Sequence, residues 1–198
     1  MLGWGFYLLR YNSSMLDWNA VYKSGKDFGL IPEAIVDQIL SFAKKPPATF
    51  LDIGCGTGHL SRFLFDKGYT GTGIDLSEEA VKIAALRNNY VTYKKLDIEH
   101  DKITELGDSY DVIVCKHTYA FIEDKKDFLI RVHSLLDTRG IFAIITPVRE
   151  TSSEELRQKK IAVSEDELFN LTKNNFKLKF QRNIKSGTLV IFEKNISS

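Results

Sequence analysis

The strongest constraint on this chain is a turn. Residues Leu51 to Leu60 read LDIGCGTGHL, an apolar strand-like run that gives way at once to Gly54, Gly56 and Gly58 before helix-forming residues resume. Glycine accepts a left-handed backbone and carries no Cβ, so strand, tight turn and helix in this order offer backbone N–H groups and a helix N-terminus to a ligand that touches the main chain. In open α/β sheets such ligands bind at the carboxyl edge of the parallel strands. The ligand is therefore nucleotide-like. A phosphate-cradling loop needs Lys followed by Ser or Thr after the last glycine, and His59 and Leu60 stand there instead. A dinucleotide fingerprint needs a small residue at the position of His59, where histidine opposes close packing of helix on strand. This weakens a nicotinamide dehydrogenase without excluding it.

Around the turn the hydrophobic period switches repeatedly between two and 3.6. Pro32 with Ala34, Ile35, Ile39, Leu40 and Phe42 predicts a helix that stops before Pro46-Pro47, and ATFLDI predicts the first strand. A helix from about Gly58 to Lys67, a strand TGTGID, a helix opening at Ser77 and a short strand YVTYKKLD follow. DVIVC, the helix DKKDFLIRVHSLL and the strand GIFAIITP come next, then a helix opened by Ser164 and Glu167 in capping-box spacing. FKLKFQRNI and TLVIFEK flank the turn Lys185-Ser186-Gly187 and predict a closing antiparallel hairpin. Such alternation implies right-handed crossovers and a parallel sheet covered on both faces, an α/β doubly wound, Rossmann-like fold.

Two acids stand at the carboxyl edge of that sheet. Asp75 ends the second strand about twenty residues beyond the glycines, where a carboxylate suits ribose hydroxyls. Asp97 ends the third, where it can accept a proton from a purine amino group. Together they describe adenosine without demanding phosphate.

The stretches LDIGCGTG, GIDLS, LDI, YDVIVCKHTYAFIED and GIFAIITP resemble, in order and approximate spacing, the successive motifs of the class I S-adenosylmethionine-dependent methyltransferases. The resemblance spans roughly Ala48 to Pro147. It implies a seven-stranded sheet with a reversed last strand and S-adenosyl-L-methionine as cofactor. Carried over by position, Asp52 and the loop Gly54, Cys55, Gly56, Thr57 and Gly58 would hold the methionine part. Asp75 would take the ribose hydroxyls, Leu76 would pack on adenine, and Asp97 with the Ile98 backbone would meet the adenine amino group. Cys115 and Lys116 would lie beside the methionine moiety. Trp18 to Tyr22 resembles a helix that closes over the cofactor in many members, with Tyr22 a contact.

The resemblance makes the chemistry a methyl transfer, which needs an aligned acceptor and no water more than it needs a catalytic residue. His117, just after the fourth strand, is the candidate general base, and Tyr119 a candidate for orienting substrate. His59, His100 and His133 carry no such role. Where many small-molecule members place a histidine before the last acid of the fourth motif, this chain has Phe121, expected to join the core or to wall a substrate pocket. A base-modifying nucleic-acid enzyme is disfavoured, because Cys115-Lys116-His117-Thr118 lacks the proline-rich motif that grips a planar amine. The net charge of +1 supplies no field toward nucleic acid or membrane.

At 198 residues and 43% hydrophobic content, the expectation is one methyltransferase domain over 1–198. Within it, 1–45 would form an N-terminal cap or lid, 48–147 the cofactor core and 148–163 a variable substrate segment. Two cysteines, Cys55 and Cys115, form no disulfide or metal framework, so no metal is expected and a reducing, cytoplasmic setting fits. Met15 opens a second stretch that reads as a start, and residues 1–14 are expected to be dispensable for cofactor binding. The predicted partner is a small-molecule acceptor with an O, N or S nucleophile, bound by a monomer or homodimer. A tRNA nucleoside acceptor and a non-catalytic cofactor-binding subunit are the alternatives.

Overall fold

The structure, a computed structural model, describes residues 17–107, 109–150 and 162–195. The expected dispensable extension and residues 151–161 of the variable segment lie outside them. Two short helices, α1 (Trp18–Lys23) and α2 (Glu33–Leu40), precede the sheet. Then β1 (Thr49–Ile53), α3 (His59–Asp66), β2 (Thr70–Asp75), α4 (Glu78–Arg87), β3 (Thr92–Lys95) and β4 (Tyr110–Lys116) follow. The chain ends with α5 (Lys125–Leu135), β5 (Leu136–Thr146), α6 (Glu165–Thr172), β6 (Phe176–Ile184) and β7 (Gly187–Lys194).

The seven strands form one sheet in the order β3-β2-β1-β4-β5-β7-β6. β1 to β5 run parallel, and β7 runs antiparallel to both neighbours, as the terminal hairpin predicts. Alternation along the strands sends side chains to two cores. Leu51, Ile53 and Ile113 face one side with Phe128, Val132 and Leu168 of α5 and α6. Phe50, Val112 and Val114 face the other with Val36, Ile39 and Leu64 of α2 and α3. A strand buried on both faces reads as a continuous apolar run, which is why TFLDI and DVIVC were legible. Side-chain caps start the helices where the sequence places them: Ser77 Oγ accepts from Ala80 N–H at 3.2 Å and Asp124 Oδ1 from Asp127 N–H at 2.9 Å. Each such cap stabilises its helix by about 1 kcal/mol.

Several boundaries differ from the sequence reading, among them β3, which stops at Lys95, so that Asp97 stands two residues beyond the strand rather than at its end. α2 ends at Leu40 because Ser41 turns back, its hydroxyl donating to the Gln38 carbonyl at 2.7 Å. Phe42 then leaves the helix and meets Phe180 of β6 with ring centroids 5.5 Å apart. β5 begins at Leu136 rather than Gly140, pairing Leu136 with Tyr110 before a register shift brings Ile141 opposite Val112. No helix among the described residues is long and apolar enough to cross a membrane.

Candidate functional site

The strand order reverses at β1: β2 and β3 lie on one side, β4 and β5 on the other. Where neighbouring crossovers leave in opposite directions, a crevice opens at the carboxyl ends of the strands. The glycine turn lies in it. Gly54 and Cys55 both donate their N–H to the Ile74 carbonyl, at 2.8 and 2.9 Å, which pins the turn to β2. Gly54 has φ +70°, and a Cβ there would lie 1.8 Å from Thr118 Oγ1. Gly56 has φ +54°, and a Cβ there would lie 2.7 Å from Tyr22 Oη. Both the backbone angle and the close approach require glycine.

Asp75 closes the β2 side. Its Oδ2 accepts from Gly56 N–H and its Oδ1 from Ser77 N–H, each at 2.8 Å. The carboxylate is thereby fixed between the turn and the start of α4. Burial pushes its pKa up, and the two N–H groups oppose that rise. Two residues past the end of β3, Asp97 accepts from Glu99 N–H and contacts His100 Nδ1, both at 2.9 Å. Burial raises its pKa, but the His100 ring and the Glu99 N–H more than offset this and leave it below the usual carboxylate range. Asp52 lies deeper, 1% exposed, and accepts from the Ser61 hydroxyl at 2.6 Å. Burial pushes it up to about 6 against the Ser61 bond and the charge of Lys116.

The β4 side supplies nitrogen. Lys116 Nζ donates to the Phe28 carbonyl at 2.5 Å, and burial lowers its pKa to about 8 against the pull of Asp52 and Asp27. His117 has φ +61°, with its N–H bonded to the Ile145 carbonyl at 2.7 Å. Burial, and then the charge of Lys116, push its imidazole down to about 3. It is neutral at physiological pH.

A roof crosses the cleft from the N-terminal segment. Asn19 Oδ1 accepts from the Ser77 hydroxyl at 2.9 Å and from Glu79 N–H at 3.1 Å, docking α1 on the start of α4. Asp27 ties the next loop down: its Oδ2 accepts from the Thr57 hydroxyl at 2.8 Å and from Arg87 at 2.7 Å. Aromatic rings run in a chain across the opening. Phe121 meets Trp18 edge-on at 5.2 Å, Trp18 meets Tyr22 at 6.4 Å, and Tyr22 meets Phe28 at 6.2 Å.

Most of the anticipated residues meet here. Gly54, Cys55 and Gly56 line the cleft with Asp52, Asp75 and Asp97. Leu76, Ile98, Tyr22, Lys116 and His117 line it as well. Four anticipated residues do not. Thr57 turns its hydroxyl to Asp27 and Arg87, and Gly58 is the left-handed N-cap of α3, close under Tyr93. Cys115 is fully buried among the β4 core residues. Tyr119 requires correction as a substrate-orienting residue: it is 0% exposed, and its ring packs 5.9 Å from Phe128 in the core. Phe121 takes the wall position rather than the core. The sequence reading missed Asp27, Phe28, Glu99 and Thr118, and set aside His100, which contacts Asp97. His100, three residues from Asp97, was detectable by local spacing; Asp27 and Phe28 reach partners 30 and 88 positions away and carry no local pattern. Among the described residues no group of three or more His, Cys, Asp or Glu is placed to hold a metal ion.

Comparison with known proteins agrees with this geometry. A family profile described as "Methyltransferase domain" matches residues 44–188. A ubiquinone biosynthesis O-methyltransferase of Nitrosomonas europaea is 32% identical over 128 residues, covering 63% of this chain and 53% of that protein. A malonyl-[acyl-carrier protein] O-methyltransferase of Acetivibrio thermocellus is 28% identical over 138 residues, covering 65% and 48%. The matched part of the chain thus spans about half the length of these curated relatives. Among solved structures, a methyltransferase in complex with the Haloferax volcanii Trm112 methyltransferase activator superposes with a TM-score of 0.74 at 20% identity, covering 92% of this chain and 99% of that one. A plantazolicin methyltransferase in complex with a pentazolic desmethylPZN analog and SAH gives 0.68 at 19% identity, covering 89% of each chain. At such identities the structures establish the fold alone.

Proposed function

Because this chain belongs to the class I S-adenosylmethionine-dependent methyltransferases, we propose that its cleft binds S-adenosylmethionine and directs methyl transfer to a small-molecule acceptor. The observation that carries the reading is the Asp75 carboxylate, held by Gly56 and Ser77 N–H beside a glycine cradle that a Cβ would fill. Nothing after that cradle suits a phosphate. The residues present fit the cofactor: a fixed carboxylate for ribose, apolar Leu76, Leu96 and Ile98 for a purine, and Asp97 for its amino group.

When bound, the cofactor supplies a methyl group made electrophilic by its sulfonium. The chain's own residues bind, orient and exclude water. Asp75 takes the ribose hydroxyls, and Asp97 with the Ile98 backbone takes the adenine edge. Gly54 to Gly56, with Asp52 beneath, hold the methionine part, and Thr57 acts by tying the turn to Asp27 rather than by contact. α1 and the loop through Phe28 close the top, which strengthens every polar contact below them. His117, neutral and weakly basic, accepts or donates a hydrogen bond that places the acceptor and is a poor proton store. An acceptor already nucleophilic at working pH follows from that.

Oxygen acceptors head the N, O and S candidates, since the curated relatives are named as O-methyltransferases. A polynucleotide fits less well, because the described lining carries Asp52, Asp75, Asp97 and Glu99 against Lys116 alone among Lys and Arg. The test is SAH formation from S-adenosylmethionine with catechol, a short carboxylic acid, a primary amine, a thiol and bulk tRNA, each offered alone. The proposal expects turnover with at least one small molecule and none with tRNA. Methylation of tRNA with every small molecule inert would overturn the acceptor class.

A further inference from the structure

One acid of the cleft joins two of its walls. Glu99 follows directly on Asp97 and Ile98, yet its side chain serves another element: Oε1 accepts from Glu123 N–H at 3.0 Å and from Asp124 N–H at 2.9 Å. Asp124 is the N-cap of α5, so neither N–H finds a carbonyl within the helix. The carboxylate answers both, and its charge suits the positive end of the helix. The clamped residues stand just beyond Phe121, which walls the cleft and meets Trp18 edge-on at 5.2 Å. Trp18 in turn precedes Asn19, whose Oδ1 accepts from the Ser77 hydroxyl, while Ser77 N–H donates to Asp75. Contacts thus run in a circuit from Asp75 through Trp18 and Phe121 to Glu99, beside Asp97.

From the clamp of Glu99 on the segment after Phe121, we propose that Glu99 is a positioning residue that sets the Phe121 wall of the acceptor pocket against the loop that meets adenine. The names of those two subsites rest on the S-adenosylmethionine reading; the clamp itself does not. Glu99 acts through Phe121 and requires contact with neither ligand. Losing two charge-assisted bonds shifts the wall's equilibrium between held and released by about tenfold or more. A second tie joins the same loop to α5, where Arg131 Nη1 donates to the Asp101 carbonyl at 2.9 Å. Arg131 lies inside α5 rather than in the segment after Phe121, so it strengthens the packing of loop on helix without holding the wall.

Trp4 and Trp18 are the two tryptophans of the chain, so Trp4→Phe leaves Trp18 as the sole reporter. Acrylamide quenching of Trp18 is measured in that background for Glu99→Ala, Glu99→Gln, Arg131→Ala, Phe121→Ala and the Glu99→Ala/Phe121→Ala pair. SAH is titrated calorimetrically into each. Glu99→Ala is expected to raise the quenching constant by about twofold, and the pair to add nothing beyond Phe121→Ala, the non-additivity of residues that act in series. Glu99→Gln keeps an oxygen for both N–H groups and retains the low value, while Arg131→Ala lowers the thermal midpoint without moving Trp18. SAH affinity in Glu99→Ala stays within about threefold of wild type, because Asp97 and Ile98 remain in place. Quenching unchanged by Glu99→Ala overturns the inference. So does a Glu99→Gln variant that behaves as Glu99→Ala does, which would make the charge rather than the clamp the working part. Loss of SAH binding in Glu99→Ala with Trp18 unmoved also overturns it, making Glu99 a cofactor contact. A wild type that binds no SAH removes the S-adenosylmethionine reading, and the Trp18 series still decides the clamp.

Discussion

Asp75→Ala is expected to weaken SAH binding by about 100-fold or more while leaving the far-ultraviolet circular dichroism spectrum unchanged. The substitution removes the acceptor for the ribose hydroxyls and also frees the Gly56 and Ser77 N–H groups that the carboxylate holds at 2.8 Å. A hydrogen bond to a charged group contributes about 1.5 to 3 kcal/mol, so losing a bidentate grip reaches the stated factor. Asp75→Asn tests the same grip without truncating the side chain. Its size is conserved, but its amide nitrogen must face either Gly56 N–H or Ser77 N–H, donor against donor. Asn is therefore expected to fall close to Ala rather than close to wild type. Binding within threefold of wild type in both variants would remove Asp75 from the cofactor site. The readout is calorimetric titration of SAH, with thermal unfolding as the check on folding.

Phe128→Ala is expected to cost about 3 to 5 kcal/mol of stability, the range for emptying a fully buried aromatic site. Phe128 is 0% exposed and touches Tyr119 at 5.9 Å and Phe142 at 6.2 Å between ring centroids, so its removal leaves a cavity between α5 and β5. At about 2 to 4 °C per kcal/mol for a chain of this size, the midpoint falls by about 6 to 20 °C. Ile130 on the same helix is 49% exposed and supplies the control. Ile130→Ala should cost about 0.5 kcal/mol or less. Thermal melts that place the two variants together would contradict the assignment of Phe128 to the core. The effect reaches the site as well, because the turn carrying Tyr119 to Phe121 rests on Phe128 and sets the Phe121 wall.

How much of this was legible in the sequence depended on how local each signal was. The strands buried on both faces announced themselves as apolar runs, and the glycine turn and Asp75 followed from spacing within one strand-turn-helix unit. Boundaries were less legible where the chain passes from one element to the next without a breaker, as from Leu135 of α5 into Leu136 of β5. Tyr119 failed as a site residue for a related reason. It stands three residues beyond Lys116, but a short 3-10 turn from Tyr119 to Phe121 rotates it into the core and brings Phe121 out to Trp18. No periodicity marks such a turn. The roof was the least legible part. Asp27 meets Thr57 and Arg87, and Phe28 meets Lys116, through contacts that exist only once the chain has folded. A lone acid in a glycine- and lysine-rich loop carries no sign of them.

His117 shows the limit of placement without electrostatics. Its position at the end of β4 is the one expected of a general base, and it does line the cleft. Burial, and then the charge of Lys116, hold it neutral down to about pH 3, which under the proposed function makes it a hydrogen-bonding group and a poor proton acceptor. Chemistry that relies on it as a base would show a pH–rate break near the usual histidine range, whereas the geometry predicts none from this residue.

Under the proposed function the cleft at β1, β2 and β4 accepts a sulfur-linked adenosine and not a dinucleotide. Calorimetric titration of the wild-type chain with S-adenosylmethionine, SAH and NADH decides between the two. Micromolar binding of both sulfur ligands, with no heat from NADH, is the predicted result. Tight binding of NADH with no signal from either sulfur ligand would contradict it.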